Sequence, residues 1–145
     1  MREETRWRTL IHEMLHAHSA GYNRVSFESL PGWEEGVVEQ LQRLLRPALL
    51  SQMGVLAHDA LFLDEEQTHP YNRYIAALEN MRQFPGFMGK DPTDFYITLL
   101  NVPIKDRLVW MMQRGKQLPG DQQAGFLTTF ALSNVVLRQS PRILG

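Results

Sequence analysis

The chain is 145 residues long and 43% hydrophobic, with a formal net charge of −1 and no cysteine. That size suits one domain with a sizeable core, and the apolar content argues against disorder. The near-zero charge gives no electrostatic case for a nucleic-acid or membrane-surface partner, and the absence of cysteine excludes disulfides, thiol nucleophiles and thiolate metal sites, so a metal would have to be held by His, Asp and Glu.

The predicted elements are helical throughout. Residues 3–19 carry Trp7, Leu10, Ile11, Met14 and Leu15 at helical spacing, with Gly21 as a stop. Residues 22–31 read as a connection in which Val25 and Phe27 form at most a short extended piece. A second helix is expected from Trp33 to about Leu45, with Val37, Val38, Leu41, Leu44 and Leu45 on its apolar side. Pro47 should break or kink it, because an interior proline costs about 3 kcal/mol, and a new helix should run on to about Ala57. Residues 64–69 are polar and acidic and read as a loop. Helical periodicity resumes after Pro70, through Tyr71, Tyr74, Ile75, Leu78 and Met81. Residues 84–92 form the clearest loop, and Asp91 with Pro92 opens a helix to about Leu100. Asn101 and Pro103 repeat that device for a helix ending near Gly115. After the turn at residues 118–121, Asp121 caps a last helix reaching Val136 or Arg138. No apolar run approaches the length of a membrane span. The charged residues 1–8 lack the apolar core of a signal peptide, so the expected location is cytoplasmic.

The chemistry is concentrated near the start, in His12-Glu13-Met14-Leu15-His16. Residues four apart share one face of a helix, so both imidazoles can reach one ion, and Glu13 lies one step round the same face. Two nitrogen ligands, an adjacent general base and an open position for water are what a zinc hydrolase needs. Only five histidines occur in the chain, which makes a chance pairing around a Glu improbable. The second helix offers a third ligand in Glu35, nineteen positions after His16. Glu39, one turn further, is placed to accept a hydrogen bond from the free ring nitrogen of a ligand histidine. Taken alone, Glu34 and Glu35 would read as a solvated first-turn pair favoured by the helix dipole. His18 should point away from the metal face, and Tyr71, Tyr74, Met81, Met111 and Met112 suit packing.

Together, His12-Glu13-Met14-Leu15-His16 and Glu34-Glu35-Gly36-Val37-Val38-Glu39 resemble the active-site helix pair of the gluzincin metallopeptidases, which include thermolysin-like enzymes and small minigluzincins. The resemblance covers about residues 9–41. It implies Zn2+ held by His12, His16 and Glu35, with Glu13 as general base, Glu39 in support, and a peptide or protein as substrate. A donor for the tetrahedral oxyanion is not marked by any family motif. His69, Tyr71 and Tyr74 are the nearest candidates on chemistry alone. Gluzincins usually carry a β-sheet before the first helix, whose edge strand aligns the substrate. Only eleven residues precede His12 here, so the chain is expected to be either a reduced catalytic core or a piece of a longer protein. In the second case an upstream domain or a partner supplies the sheet.

The expected architecture is therefore mainly α, with little or no β-sheet, in a single domain over residues 1–145. Residues 1–60 hold a zincin-like helix pair, and residues 61–145 complete the same domain as a helical bundle. The first functional expectation is a zinc metallopeptidase, and a narrower form of it is a small zincin that cleaves one regulatory protein. The competing expectation is a non-catalytic helical binding or structural module whose zinc is a staple or a vestige. A fourth ligand from His18, His58 or His69 would favour that reading, since structural sites close with four ligands.

Overall fold

The chain begins with α1 (Glu3–His18), whose first-turn acids Glu3 and Glu4 and last-turn histidines complement the helix dipole. It buries Arg8, Ile11 and His16 on one stripe. In the computed structural model, which describes residues 2–56, 59–87 and 91–141, seven further α-helices follow: α2 (Arg24–Ser29), α3 (Pro31–Gln52), α4 (Asp59–Glu66), α5 (Asn72–Arg82), α6 (Pro92–Asn101), α7 (Arg107–Gly115) and α8 (Gly120–Leu137). A single 3-10 turn at Ile104–Asp106 leads into α7. There is no strand among the described residues, as the sequence reading expected. None of their helices is long and apolar enough to cross a membrane.

The central element is α3, packed by α1 on one side and by α5, α6 and α8 on the others. Trp33, Val37, Val38 and Leu41 are fully buried, and they meet Tyr74, Leu78 and Met81 of α5 and Phe95, Tyr96 and Leu99 of α6 in one core. A smaller cluster of Ile11, Leu50 and Phe62 joins α1 and α4 to the far end of α3. Gly36 permits the close approach of α5: a Cβ there would lie 2.8 Å from Leu78 Cδ1 and 2.9 Å from Tyr74 Cβ. Overpacking of this kind costs about 1–3 kcal/mol. Alanine recovers only ~1 kcal/mol through helix propensity. Gly36→Ala is accordingly expected to lower the thermal midpoint, and an unchanged or raised midpoint would show that α5 does not pack this tightly.

Several sequence expectations need correction. The connection at residues 22–31 contains no extended piece but the helix α2, because the Asn23 side chain caps it by accepting from Ser26 N–H at 2.9 Å. Pro47 neither breaks nor restarts a helix. It sits inside a continuous α3 on the exposed side, where water can reach the carbonyl it strands, and the buried residues on either side hold the helix together. Residues 64–66 close α4 in place of a loop, because Glu65 and Glu66 are paired with arginines of α1 and α3. Helix α3 ends at Gln52, short of the expected end near residue 57, which lies outside the described residues, and α4 begins at Asp59, where the sequence marks no helix. Helices α5 and α6 start close to their expected positions. Asp91 caps α6 by accepting from Thr93 N–H at 3.0 Å, with Pro92 in the first turn. The last helix starts two residues early, with Pro119 in the capping position instead of Asp121.

Candidate metal centre

Helices α1 and α3 lie against each other with His12, Glu13 and His16 facing Glu34, Glu35 and Glu39. The turn between α1 and α2 sets this geometry. Gly21 adopts φ +65°, and a Cβ there would come within 2.9 Å of Pro103 Cβ. The neighbouring Ala20 is tied to the α6–α7 connection by Ala20 N–H to the Leu100 carbonyl at 2.9 Å and Ile104 N–H to the Ala20 carbonyl at 3.2 Å.

Three ligand atoms converge. His12 Nε2 lies 3.0 Å from His16 Nε2 and 3.1 Å from Glu35 Oε1, and His16 Nε2 lies 2.6 Å from the same oxygen. Zinc bonds of about 2.0–2.1 Å at tetrahedral angles separate neighbouring ligand atoms by about 3.3 Å. The triangle is slightly tighter than that and of the right form to hold one ion. Among the described residues, these three make up the one group of histidine and carboxylate ligands that meets in this way.

Both imidazoles are oriented from behind. His12 Nδ1–H donates to Glu39 Oε1 at 3.1 Å and His16 Nδ1–H donates to Glu34 Oε2 at 2.7 Å, which directs each Nε2 into the triangle. Each supporting carboxylate has its own cations. Glu39 is bonded by Arg8 and, at 2.8 Å, by Arg43 Nε, while Glu34 accepts from Arg107 Nη1 at 2.8 Å. Glu35 has no arginine. Its second oxygen accepts from the Tyr71 hydroxyl at 2.5 Å.

The electrostatics follow from this arrangement. Burial alone pushes the two histidines toward the neutral form. For His16 the hydrogen bonds to Glu34 and Glu35 outweigh it and raise the pKa to about 9, and Glu35 and Glu39 raise His12 in the same sense. Burial likewise opposes the ionised form of Glu35, yet its bonds to His12, His16 and Tyr71 bring it down to about 2. Tyr71 is shifted upward by burial and by the Glu35 carboxylate, so it stays a donor. A field that draws protons to these nitrogens also attracts a cation.

The open side is a cavity of about 220 Å³ lined by Arg8, Thr9, His12, Glu13, Glu35, Glu39, His69 and Tyr71. Glu13 is exposed at its rim. His69 is half-buried with its ring against Tyr71, and its Nδ1 accepts from Tyr71 N–H at 3.1 Å. Burial lowers its pKa against the opposing pull of Glu39, and the nearby Arg8 and Arg43 act in the same direction as burial. Tyr74 does not belong to the site. It is fully buried, and its hydroxyl donates to the Gln139 carbonyl at 2.6 Å on the α8 side of α5. His18 points away, with Nδ1 bonded to the Met14 carbonyl at 2.8 Å, and His58 lies outside the described residues.

The alternative reading of Glu34 and Glu35 as a solvated first-turn pair is overturned, since Glu35 is buried and Glu34 fully so. Glu34 belongs to the site, as do Arg107 and Ser19 behind it. Tyr22 is a further neighbour that the motif did not mark, half-exposed with its ring 5.3 Å from that of His16. No family model, curated protein or solved structure matches the chain, so the site stands on its own geometry.

Proposed function

We propose that this chain is a zinc-dependent peptidase. The observation that carries the reading is the triangle of His12 Nε2, His16 Nε2 and Glu35 Oε1, each imidazole fixed by a buried carboxylate, beside a polar cavity with Glu13 at its rim. Three convergent protein ligands leave a coordination position for water, which is the pattern of catalytic rather than structural zinc.

When bound, zinc would supply Lewis acidity and bring the pKa of its water near neutrality. The chain's own groups do the rest. Because Glu39 and Glu34 hold their Nδ1–H groups, Nε2 is the atom at which His12 and His16 can give up a proton and ligate the ion. Tyr71 occupies Oε2 of Glu35 and so leaves Oε1 for the ion. Glu13 accepts the proton of the attacking water and passes it to the leaving amine. His69, whose Nδ1 is engaged by Tyr71 N–H, retains Nε2–H as a donor and gives the cavity wall a group able to stabilise an oxyanion, whereas the one hydroxyl proton of Tyr71 is committed to Glu35. Alignment of the peptide by strand addition would need a sheet from another domain or a partner, because the described residues contain no strand.

The test is elemental mass spectrometry on untagged protein purified without chelator, followed by cleavage assays on unstructured polypeptides. Wild type is expected to carry close to one zinc per chain, and Glu35→Ala far less after dialysis. A metal-free wild type that also fails to take up added zinc would refute the reading. A zinc-loaded wild type that cleaves no polypeptide would reduce the site to a staple.

A further inference from the structure

Behind His16 lies a second layer that the peptidase reading does not require. Arg107, from the start of α7, is fully buried although it carries a full charge. Its Nη1 donates to Glu34 Oε1 and to the Trp33 carbonyl, each at 2.8 Å, and its Nη2 donates to Ser19 Oγ at 2.7 Å. Ser19 Oγ–H in turn donates to the same Glu34 oxygen at 2.7 Å. Glu34 Oε1 is therefore clamped by two donors from opposite sides, and only Oε2 is left for His16 Nδ1–H.

A buried arginine in an apolar core costs several kcal/mol of desolvation unless it is well paired, and a hydrophobic residue of similar volume would often serve stability as well or better. A brace for the end of α6 would need only the bonds of Arg107 to the Val102 carbonyl at 2.9 Å and the Leu100 carbonyl at 3.4 Å. It would not need a carboxylate that faces a histidine. The equivalent carboxylate behind His12 is also held by arginine, so both imidazoles rest on the same chemical unit.

Resting on the zinc-site reading, we infer that Arg107, with Ser19, is a positioning residue for the metal: it fixes the Glu34 carboxylate so that His16 is locked in the tautomer and ring orientation that direct Nε2 at the ion. A residue from the second half of the chain thereby sets the affinity of a site whose ligands all lie in the first 35 residues. Loss of such supporting groups typically weakens metal binding 10–100-fold.

The test is a double-mutant cycle on zinc affinity, measured by competition with a chromophoric chelator, using Arg107→Met, Glu34→Gln and the pair. Each single variant is expected to weaken zinc binding about 10–100-fold. The pair should be no weaker than the poorer single, because Arg107 acts only through Glu34. The visible spectrum of the cobalt(II)-loaded protein should shift in both singles, and Arg107→Lys should recover part of the affinity. Ser19→Ala removes one of the two clamps without stranding a charge, so it supplies a folded variant if Arg107→Met does not fold, and it should weaken zinc in the same direction. Wild-type affinity and an unchanged cobalt spectrum in folded Arg107→Met or Ser19→Ala would overturn the proposal and leave the zinc site standing. Strictly additive losses in the cycle would also overturn it, since they mean a general effect of the fold. Absence of zinc binding in the wild type would overturn the underlying reading as well.

Discussion

Glu13→Gln is expected to lower polypeptide hydrolysis by about 10²–10⁴-fold, the usual worth of a general base, while zinc content stays at the wild-type level. The two halves of that result come from different parts of the geometry. Glu13 is exposed at the cavity rim and is not one of the three convergent ligands, so an isosteric amide leaves the ligand triangle intact. Exposed substitutions away from special features usually change stability by no more than about 0.5 kcal/mol, so a folding defect should not mimic the loss. The amide cannot take a proton from water near neutral pH, and the neighbouring carboxylates are already engaged by histidines, arginines or Tyr71. Cleavage that survives at wild-type rate would remove Glu13 from the mechanism. Zinc lost together with activity would make Glu13 a ligand instead. The variant is also the best guard against a contaminating protease, whose activity would ignore the substitution.

The part of the site that lies on two helices was legible because it depends on local spacing. His12 and His16 are one turn apart on α1, and Glu35 and Glu39 are one turn apart on α3, so each pair must share a face once the helix forms. The layer behind them was not legible, because it depends on which elements meet in space. Arg107 is 73 residues from Glu34, and nothing in its local pattern points there. Glu34 itself did carry a signal. Trp33, Val37, Val38 and Leu41 are wrapped so far round the start of α3 that little of that segment can face water, so an acid among them must be buried and paired. The helix-dipole rule that favours a solvated first-turn acid holds only where that turn faces water.

The helices themselves were read correctly where propensity and packing agree, as in α5 and in α6 with its Asp91 cap. They were misread where tertiary contacts decide. The α2 segment was treated as a connection because its apolar residues are few, yet Phe27 is held against the rings of His16 and Tyr22. Pro47 carries a strong local penalty that the buried length of α3 overrides. The acidic end of α4 looked like a loop because no composition rule supplies the three arginines that wait for it on α1 and α3.

Those arginines make Glu66 a residue whose loss should cost the fold heavily. Glu66 accepts from Arg46 Nη1 at 2.5 Å and from Arg8 Nε at 3.2 Å, and all three side chains are buried. Removing one partner of a buried ionic cluster leaves uncompensated charge and destabilises by about 3–5 kcal/mol. Glu66→Ala is therefore expected to lose that much in urea unfolding at pH 7, a large share of the 5–15 kcal/mol typical of a domain. Burial alone would raise the Glu66 pKa, but the Arg46 contact outweighs it and holds it below the ordinary 4.5. A carboxylate depressed in the folded state contributes stability that is complete above its unfolded pKa and is lost as pH falls through the folded value. Wild-type stability should accordingly decline from about pH 4.5 downward, and more shallowly in Glu66→Gln, which has no proton to gain. Identical acid profiles for the two proteins would show that Glu66 is not held ionised by Arg8 and Arg46. The consequence reaches the metal site, because Arg8 also bonds Glu39 and Glu39 orients His12, so the cluster that seats α4 steadies one ligand of the triangle.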